Sequence, residues 1–191
     1  MLGFFRDSSF LQTAGLSGGV TKLRFADGHL LFPGVQVNAY FASVAADFLR
    51  QKLLQRKVSF TLETVMSSPD KVTLLQKAQG FGYRTYLYYI ATDDPAINIS
   101  RVRTRVLQGG HAVPEDKIIS RYARSLGLLM DAVRHTSRAY IFDNSGDQKE
   151  RTWLAEITDG KALEIKADQI PAWFKRAVLD KINQPPPGQT P

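Results

Sequence analysis

Residues 83–91, YRTYLYYIA, limit the possible folds more than any other stretch. Nearly every position after Arg84 is apolar, and unbroken hydrophobicity over a strand-length run suits a strand covered on both faces. RAYIFD, residues 138–143, reads as a second buried strand. Between them lie two helical patterns. The first starts at Asp94-Pro95 and ends at Gly109; the second starts at Pro114 and runs to about Ala132. Strands alternating with helices predict an α/β three-layer sandwich with a mainly parallel sheet. Ligands in such folds sit beyond the carboxyl ends of the strands.

The remaining chain fits around this frame. VTKLRFADGHLLF predicts a small hairpin turning at Asp27-Gly28. Asn38 is a good helix cap, and Tyr40, Phe41, Val44, Phe48, Leu49 and Leu53 carry a helical period to about Arg56. VSFTLET reads as a strand, and Pro69 opens a helix that ends at Gly80. TWLAEI and KALEIK, joined through Asp159-Gly160, predict a hairpin. IPAWFKRAVLDKI reads as a final amphipathic helix. Residues 1–183 are expected to form one domain, with 184–191 a disordered tail.

Composition narrows the function. A net charge of +7 favours anionic partners such as nucleotides, sugar phosphates, nucleic acid or an acidic protein. No apolar run approaches the roughly 20 residues that cross a bilayer, and no signal-peptide pattern opens the chain, so a cytoplasmic home is expected. With no cysteine there is no thiolate metal site, and His29, His111 and His135 are not spaced as ligands.

RVRTRVLQGGHAVPEDKIISRYARSL, residues 101–126, concentrates the charge. Arg101 and Arg105 share one helix face; Lys117, Arg121 and Arg124 share another. Gly109-Gly110 permits a reversal that turns both faces towards one concave space. Arginine stays charged and grips phosphate oxygens with a planar fork. Acidic residues are nearly absent from 101 to 113, so local ion-pair partners are few. The competing reading is a solvated basic face. A nucleic-acid role is disfavoured, because the charge clusters at one hinge and no aromatic stacking motif accompanies it.

Two further segments are expected at strand ends. In SFTLETVMSS, Glu63 suits a substrate hydroxyl or amide, while Thr64 and Ser67 either contact substrate or cap the next helix. In FDNSGD, Asp143 and Asn144 either shape a turn or line a nucleotide pocket.

SFTLETVMSSPDK, then RVRTRV with GGHAVPEDKI and RYARSL, then IFDNS, resemble in that order the zeta-toxin family of P-loop kinases and its small ATPase relatives. The resemblance spans about residues 38–146. It implies an ATP-dependent phosphotransferase using ATP and Mg²⁺. The family acceptor is UDP-N-acetylglucosamine, and an antitoxin protein is the family partner. By motif, Glu63 and Thr64, with Ser67 beside them, would face the sugar nucleotide. Arg105 and Arg121 would hold ATP phosphates, with Arg101 and Arg124 as further candidates. Asn144 would lie near the base.

The sequence departs from that family at its start. Members carry a first strand and a G-x-x-x-x-G-K-[ST] loop whose amides cradle phosphates; no such string occurs in these 191 residues. GLSGGVTK, residues 15–22, has its lysine after threonine and reads as an ordinary loop. Asp7 stands at the place of the catalytic aspartate, without the usual asparagine two positions earlier. The expectation is therefore a kinase fold lacking its first strand and phosphate loop, the sequence beginning after the first βα unit. Such a chain would have impaired activity and uncovered sheet edges. The alternative is a non-catalytic nucleotide- or anion-binding protein, or a toxin-like partner-binding module.

Overall fold

The structure, a computed structural model, describes residues 1–146 and 151–184. The expectation of one domain over 1–183 meets two compact units, Met1–Thr61 and Leu62–Pro191.

The first unit opens with three short helices, α1 (Leu2–Arg6), α2 (Ser9–Thr13) and α3 (Ser17–Val20). GLSGGVTK, expected as a loop, thus contains a helical turn. The hairpin follows as expected: β1 (Arg24–Ala26) pairs antiparallel with β2 (His29–Leu31). Asp27 and Gly28 both take positive φ, 50° and 78°, the conformation a two-residue hairpin turn requires. Helix α4 (Ala39–Gln55) starts where Asn38 Oδ1 accepts from the amides of Tyr40 (3.0 Å) and Phe41 (3.4 Å). Phe5, Leu11, Val20, Leu23, Phe41 and Val44 form this unit's core.

The second unit holds α5 (Asp70–Gly80), β3 (Tyr86–Ala91), α6 (Pro95–Leu107), α7 (Glu115–Arg134), β4 (Arg138–Asp143), β5 (Thr152–Thr158), β6 (Ala162–Ile165) and α8 (Ala172–Phe174). The sheet order is β3-β4-β5-β6. Strands β3 and β4 are parallel, and the expected hairpin extends them antiparallel, so the α/β sheet is mixed. Tyr89, Ala91, Ala139, Ile141, Ala155 and Ile157 face a core completed by Leu129, Met130 and Val133 of α7 and by Trp173, Phe174 and Val178. Leu129, Met130 and Val133 form the buried stripe of α7, whereas Ile119, near the start of the helix, is exposed.

Two further expectations of regular structure fail. VSFTLET lies outside both sheets. Its alternation favours an extended chain, but a strand also needs a ladder partner, which periodicity cannot specify. IPAWFKRAVLDKI is not one regular helix: α8 has three residues and passes into a π-helical turn, Lys175–Leu179. The wider turn accommodates two adjacent buried pairs, Trp173-Phe174 and Ala177-Val178. Among the described residues no helix is long and apolar enough to cross a membrane. The expected tail 184–191 lies, after residue 184, outside the described residues.

Candidate functional site

Helix α6 is set by its ends. Asp94 Oδ1 accepts from the Ala96 amide at 2.7 Å, and Pro95 fills the first turn, where no amide partner is needed. At the other end the Gly109 amide donates to the Val106 carbonyl (3.0 Å) and the Gly110 amide to the Arg105 carbonyl (2.9 Å). This is the paired closure of a Schellman motif, and Gly109 takes the left-handed conformation it needs, φ 86°. A Cβ on Gly110 would meet Arg105 Cγ at 2.6 Å and its carbonyl oxygen at 2.8 Å. The reversal read from the sequence is therefore a close backbone approach that only glycine allows.

The cations on the two helices divide into groups. Arg103 does find an acidic partner, which the local sequence did not suggest. It lies beyond the hinge: Arg103 Nη2 is 2.5 Å from Glu115 Oε1. Arg101 Nη2 donates to the Gly146 carbonyl at 3.1 Å, and Arg124 Nε to the Ser67 carbonyl at 3.1 Å. Arg105, Lys117 and Arg121 are exposed, and their side chains have no ion-pair partner among the described residues. No residue of α6 is buried, and Leu107 at its tip is 88% exposed, so packing holds this helix lightly.

Helix α7 is anchored more firmly. Tyr122 Oη donates to the carbonyls of Thr92 (2.8 Å) and Asp93 (3.1 Å), just past the carboxyl end of β3. Burial raises the pKa of this phenol, and the Asp93 carboxylate raises it further. One turn later Ser125 Oγ bonds Tyr89 Oη at 3.0 Å. Burial pushes Tyr89 up to about 12, against the opposing effect of that bond.

The carboxyl ends of β3 and β4 are laced together. The Asn144 amide donates to the Ala91 carbonyl at 2.8 Å, and the Asp93 amide to Ser145 Oγ at 2.7 Å. Asp143 is the hub: Oδ1 accepts from Trp173 Nε1 (2.7 Å) and Ser145 Oγ (2.8 Å), and Oδ2 from the Ser145 amide (3.0 Å). Asn144 Oδ1 is buried without a hydrogen-bond partner among the described residues. A cavity of about 620 Å³ opens beside Asp143, lined by Trp153, Lys166, Asp168 and Ile170 among others, and none of the candidate arginines lines it.

The structure brings Ser67 to Arg124 and Arg101 to the loop after Asn144. Glu63 and Thr64 are exposed in a segment that is not the strand end expected for them. Thr64 Oγ1 accepts from the Met66 amide at 3.1 Å, shaping the turn in which Met66 takes φ 54°. Helix α5 has no side-chain cap, so neither Thr64 nor Ser67 takes the capping option; Ser68 Oγ donates to Asp70. Asp7 lies in the first unit, exposed at the end of α1. Tyr122 and Ser145 lie within the RYARSL and IFDNS stretches but carry no assigned role there, because the bonds each makes to Asp93 join residues far apart in the sequence. No group of residues suited to hold a metal ion occurs among the described residues.

The family profile described as zeta toxin matches residues 35–149. A Haemophilus influenzae protein described as uncharacterized is 29% identical over 69 residues, 36% of this chain and 49% of that protein. The aligned part thus spans about half of that relative's length. No solved structure matches the chain.

Proposed function

This chain belongs to the zeta-toxin family, and from that premise we propose that it is an ATP-dependent phosphotransferase acting on a hydroxyl of UDP-N-acetylglucosamine or a similar sugar nucleotide. One observation carries the reading. Arg105 and Arg121, on successive helices closed by a glycine motif, are exposed and lack ion-pair partners among the described residues. Uncommitted guanidinium groups suit phosphate oxygens, whereas Arg103 is already neutralised by Glu115.

In this reading Arg105 and Arg121 bind the phosphates of ATP. Arg101 and Arg124, tied to backbone carbonyls, frame them. Glu63, Thr64 and Ser67 face the acceptor, Asn144 lies near the base, and Asp7 is the candidate catalytic carboxylate. Bound Mg²⁺ would supply bridging and neutralisation of the phosphate oxygens. Residues 1–183 work as one kinase domain in the cytoplasm, restrained by an antitoxin partner.

Positioning by a phosphate loop and Mg²⁺ supplies most phosphoryl-transfer catalysis. Because these 191 residues contain no G-x-x-x-x-G-K-[ST] string, transfer by this polypeptide is expected to be slow. The same observation favours a second reading, a non-catalytic nucleotide-binding protein. Calorimetric titration with ATP·Mg²⁺, alongside transfer of labelled γ-phosphate to UDP-N-acetylglucosamine, separates the two. Weak ATP binding that is lost in the R105Q/R121Q double variant supports the shared site. Measurable transfer selects the kinase, and its absence selects the binder. Equal ATP affinity in wild type and double variant overturns both.

A further inference from the structure

Strands β3, β4 and β5 gather aromatic rings on the sheet face opposite the α7 core. Along β3, Tyr86, Tyr88 and Ile90 alternate with the core residues Tyr89 and Ala91, and Tyr88 is 66% exposed. The strand register sets Tyr88 beside Tyr140 and Phe142 beside Trp153. Ring centroids lie 4.9 Å apart for Tyr88 and Tyr140, with planes 18° apart, 6.3 Å for Tyr140 and Trp153, and 6.4 Å for Trp153 and Phe142. Four rings from three strands thus form one connected row. Among the described residues β3 is the edge strand, so Tyr88 ends the row, one ring face against Tyr140 and the other open.

Cations border this row. The Arg84 guanidinium lies 5.8 Å from the Tyr86 ring centre and Lys166 Nζ 5.0 Å from that of Trp153. Arg138 stands beside Tyr86 in the register. Arg138 is paired with Glu156 at 2.8 Å and Lys166 with Glu164, while Arg84 has no ion pair among the described residues. We propose that this face binds single-stranded nucleic acid, with a base stacked on the open side of Tyr88 and Arg84 and Arg138 on the adjoining phosphates.

Charge selects this occupant. Every base has a π-face, so an aromatic row with flanking cations accepts a single strand without reading its sequence. A second copy docking on the same face would bring the two unpaired Arg84 guanidinium groups to one interface, on a chain of net charge +7, and like charges brought together oppose association. Arg84 lies just before β3 and Arg138 is the first residue of β4, at the end of the sheet away from the loops that follow Ala91 and Asp143. The surface is therefore separate from the arginine hinge, and this inference does not rest on the kinase reading.

Fluorescence anisotropy with a labelled oligothymidylate of about a dozen nucleotides, within the range that single-strand binders cover, provides the test. The full chain is expected to bind the single strand more tightly than a duplex of equal length. Y88A should weaken binding about tenfold, the loss of one base stack, while Y88F keeps it. R84Q should lower the salt slope by about 0.7, one phosphate contact. Wild-type affinity in Y88A would overturn the proposal. So would loss of binding in R105Q/R121Q with none in Y88A, which would trace attraction to the basic hinge. Concentration-dependent dimerisation that Y88A abolishes, without oligonucleotide binding, would make the face a self-interface instead.

Discussion

Arg103 reaches over the glycine hinge to Glu115, with Nη2 at 2.5 Å and Nε at 3.2 Å from the same oxygen, Oε1. Both side chains are largely exposed, 70% and 52%, so water screens the pair. An exposed pair contributes roughly 0–1 kcal/mol to stability. Its value is geometric, because α6 buries no residue and little else holds its far end beside α7. Glu115→Gln should therefore shift the unfolding midpoint by less than about 1 kcal/mol while loosening the hinge. Limited trypsin digestion reads this directly, since Arg103, Arg105 and Lys117 are exposed cleavage sites. Faster early cleavage there is expected; an unchanged digestion pattern would remove the pair's positional role.

Two glycines one helix apart predict opposite effects. Alanine at Gly110 would place its Cβ 2.8 Å from the Arg105 carbonyl oxygen, a backbone atom that cannot move without breaking the closing bond of α6. A cost of roughly 1–3 kcal/mol follows. Gly127 lies inside α7 with nothing within 4 Å of the added carbon. There alanine should stabilise by about 1 kcal/mol through helix propensity. Urea unfolding of G110A and G127A gives both values, and equal signs would contradict the hinge geometry.

Much of this was readable from local chemistry. Asn38, Asp94 with Pro95, and Gly109 mark helix ends through bonds to neighbours a few residues away, and the structure keeps each within one or two positions. The hairpin turns at Asp27-Gly28 and Asp159-Gly160 were legible for the same reason. What stayed hidden depends on distant partners. VSFTLET alternates like a strand, yet nothing within it names the strand it would pair with. Ser67 finds Arg124, and Asp143 finds Trp173, across long sequence separations. The aromatic row behaves likewise: Tyr88, Tyr140 and Trp153 are unremarkable until strand pairing sets them side by side.

The bond from Arg124 Nε to the Ser67 carbonyl ties α7 to the segment that carries Glu63 and Thr64. Met66, buried and left-handed at φ 54°, is the pivot of that segment. Arg124→Gln removes the strap, at a cost of about 1 kcal/mol, the net worth of one hydrogen bond. The larger effect should be local, with faster amide exchange at Met66–Ser68 than in wild type. Unchanged exchange there would show that Met66 packing alone fixes the segment.

Tyr89 gives the protein a pH signature. Its pKa stands at about 12 in the fold against 10 in a free chain, raised by burial. The folded state holds this proton more tightly, so the contribution is complete below pH 10 and is lost as pH rises through about 12. Two units correspond to about 3 kcal/mol at most. Tyr89→Phe abolishes the titration but strands the buried Ser125 hydroxyl, costing about 1 kcal/mol at neutral pH. The stability curves of wild type and Y89F should therefore cross near pH 11, about where the growing ionisation cost matches the lost bond. Tyr122 shifts the same way and occurs in both proteins, and its charge adds a smaller upward push on Tyr89 itself. Urea unfolding at several pH values between neutral and alkaline makes the comparison. A constant gap between the two proteins would mean that the Tyr89 phenol ionises as readily in the fold as in the unfolded chain.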